Sequence, residues 1–164
     1  MDLLREPAPL ESSVFADAAD ALLGMAPPEL GPIHQRSHRY GVKVWFGADD
    51  VPREHYEAQV VGARHVRGAR TLAVEIGFHA EHRRAAENEQ VLAHLLTAES
   101  RWRRSLGLEA EAGPFLGHDG WRRLSETWCD PDLDEPGLAF EIAARLVDYV
   151  TVLEPLLRTR RSPG

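Results

Sequence analysis

Cysteine is nearly absent: Cys129 stands alone, so the chain can form no internal disulfide and its fold needs no oxidising compartment. With Trp128 and Asp130 beside it, Cys129 is expected to be a partly buried structural thiol. Lysine is equally scarce, with Lys43 the single example among basic residues that are otherwise arginine. Arginine's planar fork suits bidentate pairing with carboxylates. Basic charge is outweighed overall, since the formal net charge is −7. A sequence-independent nucleic-acid binder carries the opposite balance, because it must neutralise phosphates. No apolar run approaches the ~20 residues of a membrane span. Met1–Pro9 has neither a basic start nor an apolar stretch, so no secretory signal is expected. The expected location is therefore the cytoplasm, with no membrane contact. Also missing are a G-x-x-x-x-G-K phosphate loop, a dinucleotide fingerprint and a G-x-S-x-G elbow. No cofactor is implied.

What is present fits one globular domain. The 164 residues, 43 % hydrophobic and 27 % charged, allow a core without staples. The domain is expected over 12–157, with flexible termini at 1–11 and 158–164. A first helix is expected from Ser13 to about Met25, with Ser12 or Ser13 as cap and Phe15, Ala18, Ala19, Leu22 and Leu23 on one face. Pro27 and Pro28 stop it.

From Ser37 the hydrophobic period changes to two. Tyr40, Val42, Val44 and Phe46 alternate with Gly41, Lys43 and Trp45, which predicts a half-buried strand. His55–Val61 and Ala69–His79 alternate in the same way, and short loops make an antiparallel meander the simplest pairing. One long helix is expected from about Arg83 to Leu106, with Val91, Leu92, Leu95, Ala98, Trp102 and Leu106 as its stripe. Two shorter strands follow near Leu108–Ala112 and Trp121–Trp128. A last helix carries Leu138, Ile142, Leu146, Tyr149, Val150 and Leu153, with Pro155 expected to end or kink it near Glu154. The fold class is α+β in the order α-β-β-β-α-β-β-α, an antiparallel sheet with helices packed on it.

Four groups of residues carry chemical interest. The segment Phe78-His79-Ala80-Glu81-His82 collects histidine and carboxylate, donors suited to zinc or a similar cation. Its histidines stand three apart at a strand end, unlike the i, i+4 helical zinc motif. The polar face of the expected sheet brings Lys43, Glu57, Gln59 and Glu75 near one another, with His55 and His79 at its edges. Such a face suits an acid/base pair or a divalent cation, and equally an ordinary wet sheet surface. A nuclease pattern asks for a lysine two places after a strand carboxylate, but Gln59 follows Glu57 and Gly77 follows Glu75. Asn88 lies beside the apolar stripe of the long helix and is read as a boundary position. Finally, Trp45, Trp102, Trp121, Arg103, Arg122 and Arg123 have the composition of interface hot spots. Trp102 belongs to the core stripe, whereas Trp45 is expected to be an exposed anchor unless another element covers it.

The element order, acidic charge and small size resemble the YbjN family of small bacterial proteins and the type III secretion chaperone fold. The resemblance spans about Ser12 to Leu157 and rests on topology, so it carries over no functional residue. It implies a non-enzymatic, often dimeric protein that binds another polypeptide. The leading expectation is accordingly a chaperone-like protein, a homodimer acting on a protein partner. The competing expectation is a metal-dependent hydrolase or nuclease using His79, Glu81, His82, Glu57 or Glu75, and the third a nucleic-acid accessory protein.

Overall fold

The computed structural model describes residues 12–47 and 49–162. The fold is α+β, with helices packed on an antiparallel sheet. Its helices are α1 (Val14–Leu23), α2 (Ala85–Leu96), α3 (Glu99–Leu106) and α4 (Leu138–Arg161). Its strands are β1 (Ile33–His38), β2 (Gly41–Phe46), β3 (Glu54–Gly62), β4 (Leu72–Ala80), β5 (Glu111–Phe115) and β6 (His118–Cys129). The sheet order is β1-β2-β3-β4-β6-β5, and every neighbouring pair is antiparallel. Among the described residues no helix is long and apolar enough to cross a membrane.

Period-two alternation sorts the strand residues between two faces. Val42, Val44, Tyr56, Ala58, Val74, Ile76, Phe78 and Leu124 point to the helices and are buried. The α4 stripe, Leu138, Ile142, Leu146, Tyr149, Val150 and Leu153, meets them and is buried throughout. Each such large side chain taken fully from water contributes roughly 1.5–3 kcal/mol, which fixes the strand register. The opposite face presents Lys43, His55, Glu57, Gln59, Glu75, His79, Arg123, Ser125 and Thr127.

Several elements depart from the sequence expectation. The meander has a fourth strand, β1, where the sequence reading assigned no element. Ile33-His-Gln-Arg-Ser-His38 has no apolar alternation because it is a half-exposed edge strand whose one sheet neighbour is β2. The single long helix is two helices. The Trp102 indole N–H donates to the Leu95 carbonyl at 2.8 Å, taking an acceptor that a continuous helix would offer to Glu99. Pro155 does not end α4, which runs on to Arg161. Both Pro155 and Thr151, whose carbonyl loses its helical donor, face solvent. Arg158 donates to the Leu30 carbonyl and Arg161 to Glu154, so residues 158–161 form an anchored final turn. Residues 1–11 and 163–164 of the expected termini lie outside the described residues.

At single positions, Leu23 is 50 % exposed and does not join the α1 stripe, and Cys129 is exposed. Asn88 is fully buried and not a boundary residue. Its side chain accepts from His82 N and donates to the carbonyls of His82 and Gly120, pinning α2 to the end of β4 and to β6.

Candidate metal centre

Two His-x-Glu triplets, His55-Tyr56-Glu57 and His79-Ala80-Glu81, stand on neighbouring antiparallel strands. Their register sets His55 directly opposite His79. A local two-fold axis between the histidines exchanges the triplets, so Glu57 flanks the pair on one side and Glu81 on the other. Glu81 continues the ladder, its N–H donating to the Arg53 carbonyl at 2.8 Å. Between Glu75 and His79 on the same face, β4 has Gly77. A Cβ there would lie 2.4 Å from the Leu124 carbonyl oxygen and 2.5 Å from Ser125 Cα, so only glycine lets β6 approach this closely.

The four side chains converge. His55 Nε2 lies 3.2 Å from Glu57 Oε1 and 3.3 Å from Glu81 Oε2. His79 Nδ1 lies 3.2 Å from Glu57 Oε1 and 3.6 Å from Glu81 Oε2. These four atoms lie within 4.8 Å of one another. Among the described residues, the cover on this face comes from the sheet's own β5–β6 hairpin. The register of β5 on β6 shifts between Pro114 and Phe115, and the Phe115 ring sits edge-on to His79, 4.8 Å between centroids, with Trp121 behind it. His79 and Glu75 are 0 % exposed, and His55 and Glu57 are buried. The Glu81 side chain, 12 % exposed, forms the wet edge. Beside it opens a recess of about 250 Å³ lined by Lys43, Val51, Pro52, Arg53, His55 and Glu81.

The ring nitrogens that face outward are already engaged. His55 Nδ1 lies 3.1 Å from the Pro52 carbonyl oxygen, which only accepts, so this nitrogen carries a proton. His79 Nε2 lies 2.7 Å from Glu75 Oε2, and Glu75 is further held by Gln59 Nε2 at 3.1 Å. With those tautomers, His55 Nε2 and His79 Nδ1 turn lone pairs toward two carboxylates. Four acceptors facing one another at this range demand positive charge between them, either two more protons or one dication.

The titration behaviour follows. Burial alone pushes His79 down, but Glu75, Glu57 and Glu81 outweigh it and hold the imidazole well above its ordinary value. His55 is raised too, its burial outweighed by Glu57 and Glu81. Burial pushes Glu57 up, and the two histidines reverse this, lowering it to about 2. Glu81 and Glu75 are likewise held below the ordinary carboxylate value against burial, Glu81 by both histidines and Glu75 first of all by His79.

Distances separate the two ways of supplying that charge. A charge-assisted N⁺–H···O⁻ bond spans about 2.7–2.9 Å, which the His79–Glu75 contact at 2.7 Å matches. The four contacts of the ring are longer, 3.2–3.6 Å. Donors bound tetrahedrally at about 2.0–2.2 Å from one ion lie about 3.3–3.6 Å apart. The four ring contacts fall close to that range, and all four atoms lie within 4.8 Å of one another, so the ring could hold one ion. With an ion in the ring, Glu75 on His79 and the Pro52 carbonyl on His55 would be the partners that orient the two imidazoles.

The other sequence candidates lie elsewhere. His82, in the same segment as His79 and Glu81, bonds Glu54 at 2.8 Å and approaches Glu87 at 3.2 Å, away from the cluster. Trp45 is 3 % exposed, not an exposed anchor, and stacks on His34 of β1 at 5.7 Å. The unexpected β1 hairpin supplies that cover. Trp102 is core at 0 %, and Arg103 lies over its ring while donating to the Gly107 and Ala110 carbonyls. Arg123 is buried against Ser125 Oγ and the Pro114 carbonyl. Trp121 and Arg122 are part-exposed, Trp121 stacked on His118 and Arg122 bonded to Glu89. Sequence reading placed His55, Glu57 and His79 on one polar face and His79, Glu81 and His82 in one segment, and assembled no site from His55, Glu57, His79 and Glu81 together. The repeated His-x-Glu triplet was the signal that joins them.

No family model, no curated protein and no solved structure matches the chain.

Proposed function

We propose that this chain binds one divalent transition-metal ion of the zinc class through His55 Nε2, Glu57, His79 Nδ1 and Glu81. The observation that carries the reading is the four-atom ring at coordination spacing, with both imidazoles oriented from behind. Two neutral imidazoles and two carboxylates suit borderline dications and disfavour both thiophilic ions and the all-oxygen coordination of calcium. A carboxylate at the wet edge also separates this centre from closed, cysteine-rich structural zinc sites. An ion held there supplies Lewis acidity to whatever enters the recess, which is the basis of the hydrolase reading. The polypeptide-binding reading draws its support from Trp/Arg segments of which Trp45, Trp102 and Arg123 are used inside the fold.

The test is metal content and binding. Protein stripped with a chelator and dialysed against zinc, cobalt(II) or manganese(II) is expected to retain one ion per chain by elemental mass spectrometry. Cobalt(II) should give the intense visible bands of a tetrahedral centre. Glu81→Gln, at the exposed edge, should weaken retention without unfolding the chain. Less than a tenth of an equivalent of every metal, from protein with a native circular dichroism spectrum, would sink the reading.

A further inference from the structure

We infer that the recess beside Glu81 takes a small oxyanion of the phosphate class, held by Lys43 and Arg53 and reaching the ion. The inference rests on the metal reading above and adds a ligand to it. The recess floor is one edge of the centre, His55 and Glu81, while Lys43 and Arg53 stand in its wall. Lys43 is placed by register, opposite Glu57 on the neighbouring strand. Arg53 is placed by its own carbonyl, which accepts from Glu81 N.

Charge is the first argument. Arginines elsewhere on the fold that line buried or half-buried positions are tied to carboxylates, among them Arg103, Arg122, Arg123, Arg145 and Arg158, and so is the more exposed Arg161. Lys43 and Arg53 make no ion pair among the described residues. Two unpaired cations thus flank the one wet edge of a buried centre. With a dication bound, Glu57, Glu75 and Glu81 leave the centre itself at a net −1. The centre and the two cations beside it together carry +1, which an anion balances.

Size is the second argument. At about 250 Å³ the recess falls below the roughly 300–1,000 Å³ of sites that enclose drug-sized ligands. It accommodates a free oxyanion or the terminal group of a larger molecule, not a whole nucleotide or peptide. Chemistry is the third. Phosphate oxygens accept from both guanidinium and ammonium donors and also ligate borderline dications. An anion entering here meets Glu81, the one ligand with a solvent-facing side, so it can add to the ion or displace that carboxylate.

Cobalt(II)-loaded protein titrated with inorganic phosphate tests the inference. The visible bands are expected to shift saturably. Lys43→Met and Arg53→Met should each weaken phosphate about 10–100-fold, the value of one charged hydrogen bond, while cobalt stays bound at one equivalent. Lys43→Arg should retain phosphate. Phenyl phosphate runs in parallel: binding as tight as inorganic phosphate points to the terminal group of a larger ligand, and weaker binding to the free ion. Bands that phosphate leaves unmoved on fully loaded protein, or a double Lys43/Arg53 variant with unchanged phosphate affinity, overturn the oxyanion site and leave the metal centre standing. Failure to load cobalt at all overturns both.

Discussion

Adding a metal ion to this centre should release protons in a number the structure fixes. In the metal-free protein the charge inside the His55–Glu57–His79–Glu81 ring is carried by protons on His55 Nε2 and His79 Nδ1. Both imidazoles are raised above their ordinary 6.5, while Glu57 and Glu81 are lowered below 4.5. At pH 5.5–6.5 the histidines are therefore protonated and the carboxylates ionised, and a dication displaces two protons. The apparent affinity should rise about 100-fold per pH unit in that window, two protons at tenfold each. Calorimetric titrations in buffers of different ionisation enthalpy count the protons directly. Zinc at 100 times its dissociation constant stabilises the fold by about 2.7 kcal/mol. For a domain of this length that raises the melting temperature by roughly 5–11 °C. Stoichiometric binding with no proton release between pH 5.5 and 6.5 would refute the reasoning, because it would mean the ring held no imidazolium protons to displace.

Three other outcomes follow from the same geometry. Glu75→Gln removes no ligand but weakens the acceptor behind His79, and should cost about 10–100-fold in zinc affinity by competition with a chromogenic chelator. Gly77→Ala drives a Cβ into the Leu124 and Ser125 backbone and should destabilise the fold by about 1–3 kcal/mol or more, read from urea unfolding of metal-free protein. The metal-free protein should have a stability plateau between about pH 4.5 and 6.5, followed by thermal melts across pH. Above 6.5 the stabilisation from the raised histidines is lost as they deprotonate, and below 4.5 that from Glu57 is lost as pH falls toward about 2. A metal-free melting temperature that climbs from pH 6.5 to 9 would contradict the histidine assignment.

Much of the fold was legible because burial imprints a period on sequence. The α4 stripe and the alternation of β2, β3 and β4 were readable residue by residue, and every core position named from them on the final helix is buried. Elements held by something other than an apolar stripe were not. The edge strand β1 pairs with β2 along one side only, and its half-exposed residues carry no apolar alternation. The break between α2 and α3 depends on one indole N–H reaching the Leu95 carbonyl.

The centre divides along the same line. The sequence by itself determined that His55, Glu57, Glu75 and His79 share the polar side of their strands, because alternation on a half-apolar strand admits no other choice. Only the tertiary structure decided that this side is buried and that its members meet. Register brought His55 opposite His79, Gly77 let β6 close up, and the bulged β5–β6 hairpin laid Phe115 against His79. Alternation is local and survives in one dimension. Register, close approach and cover are set by pairing between distant segments, so they turn a set of polar residues into a dry ring of donors only once the chain has folded.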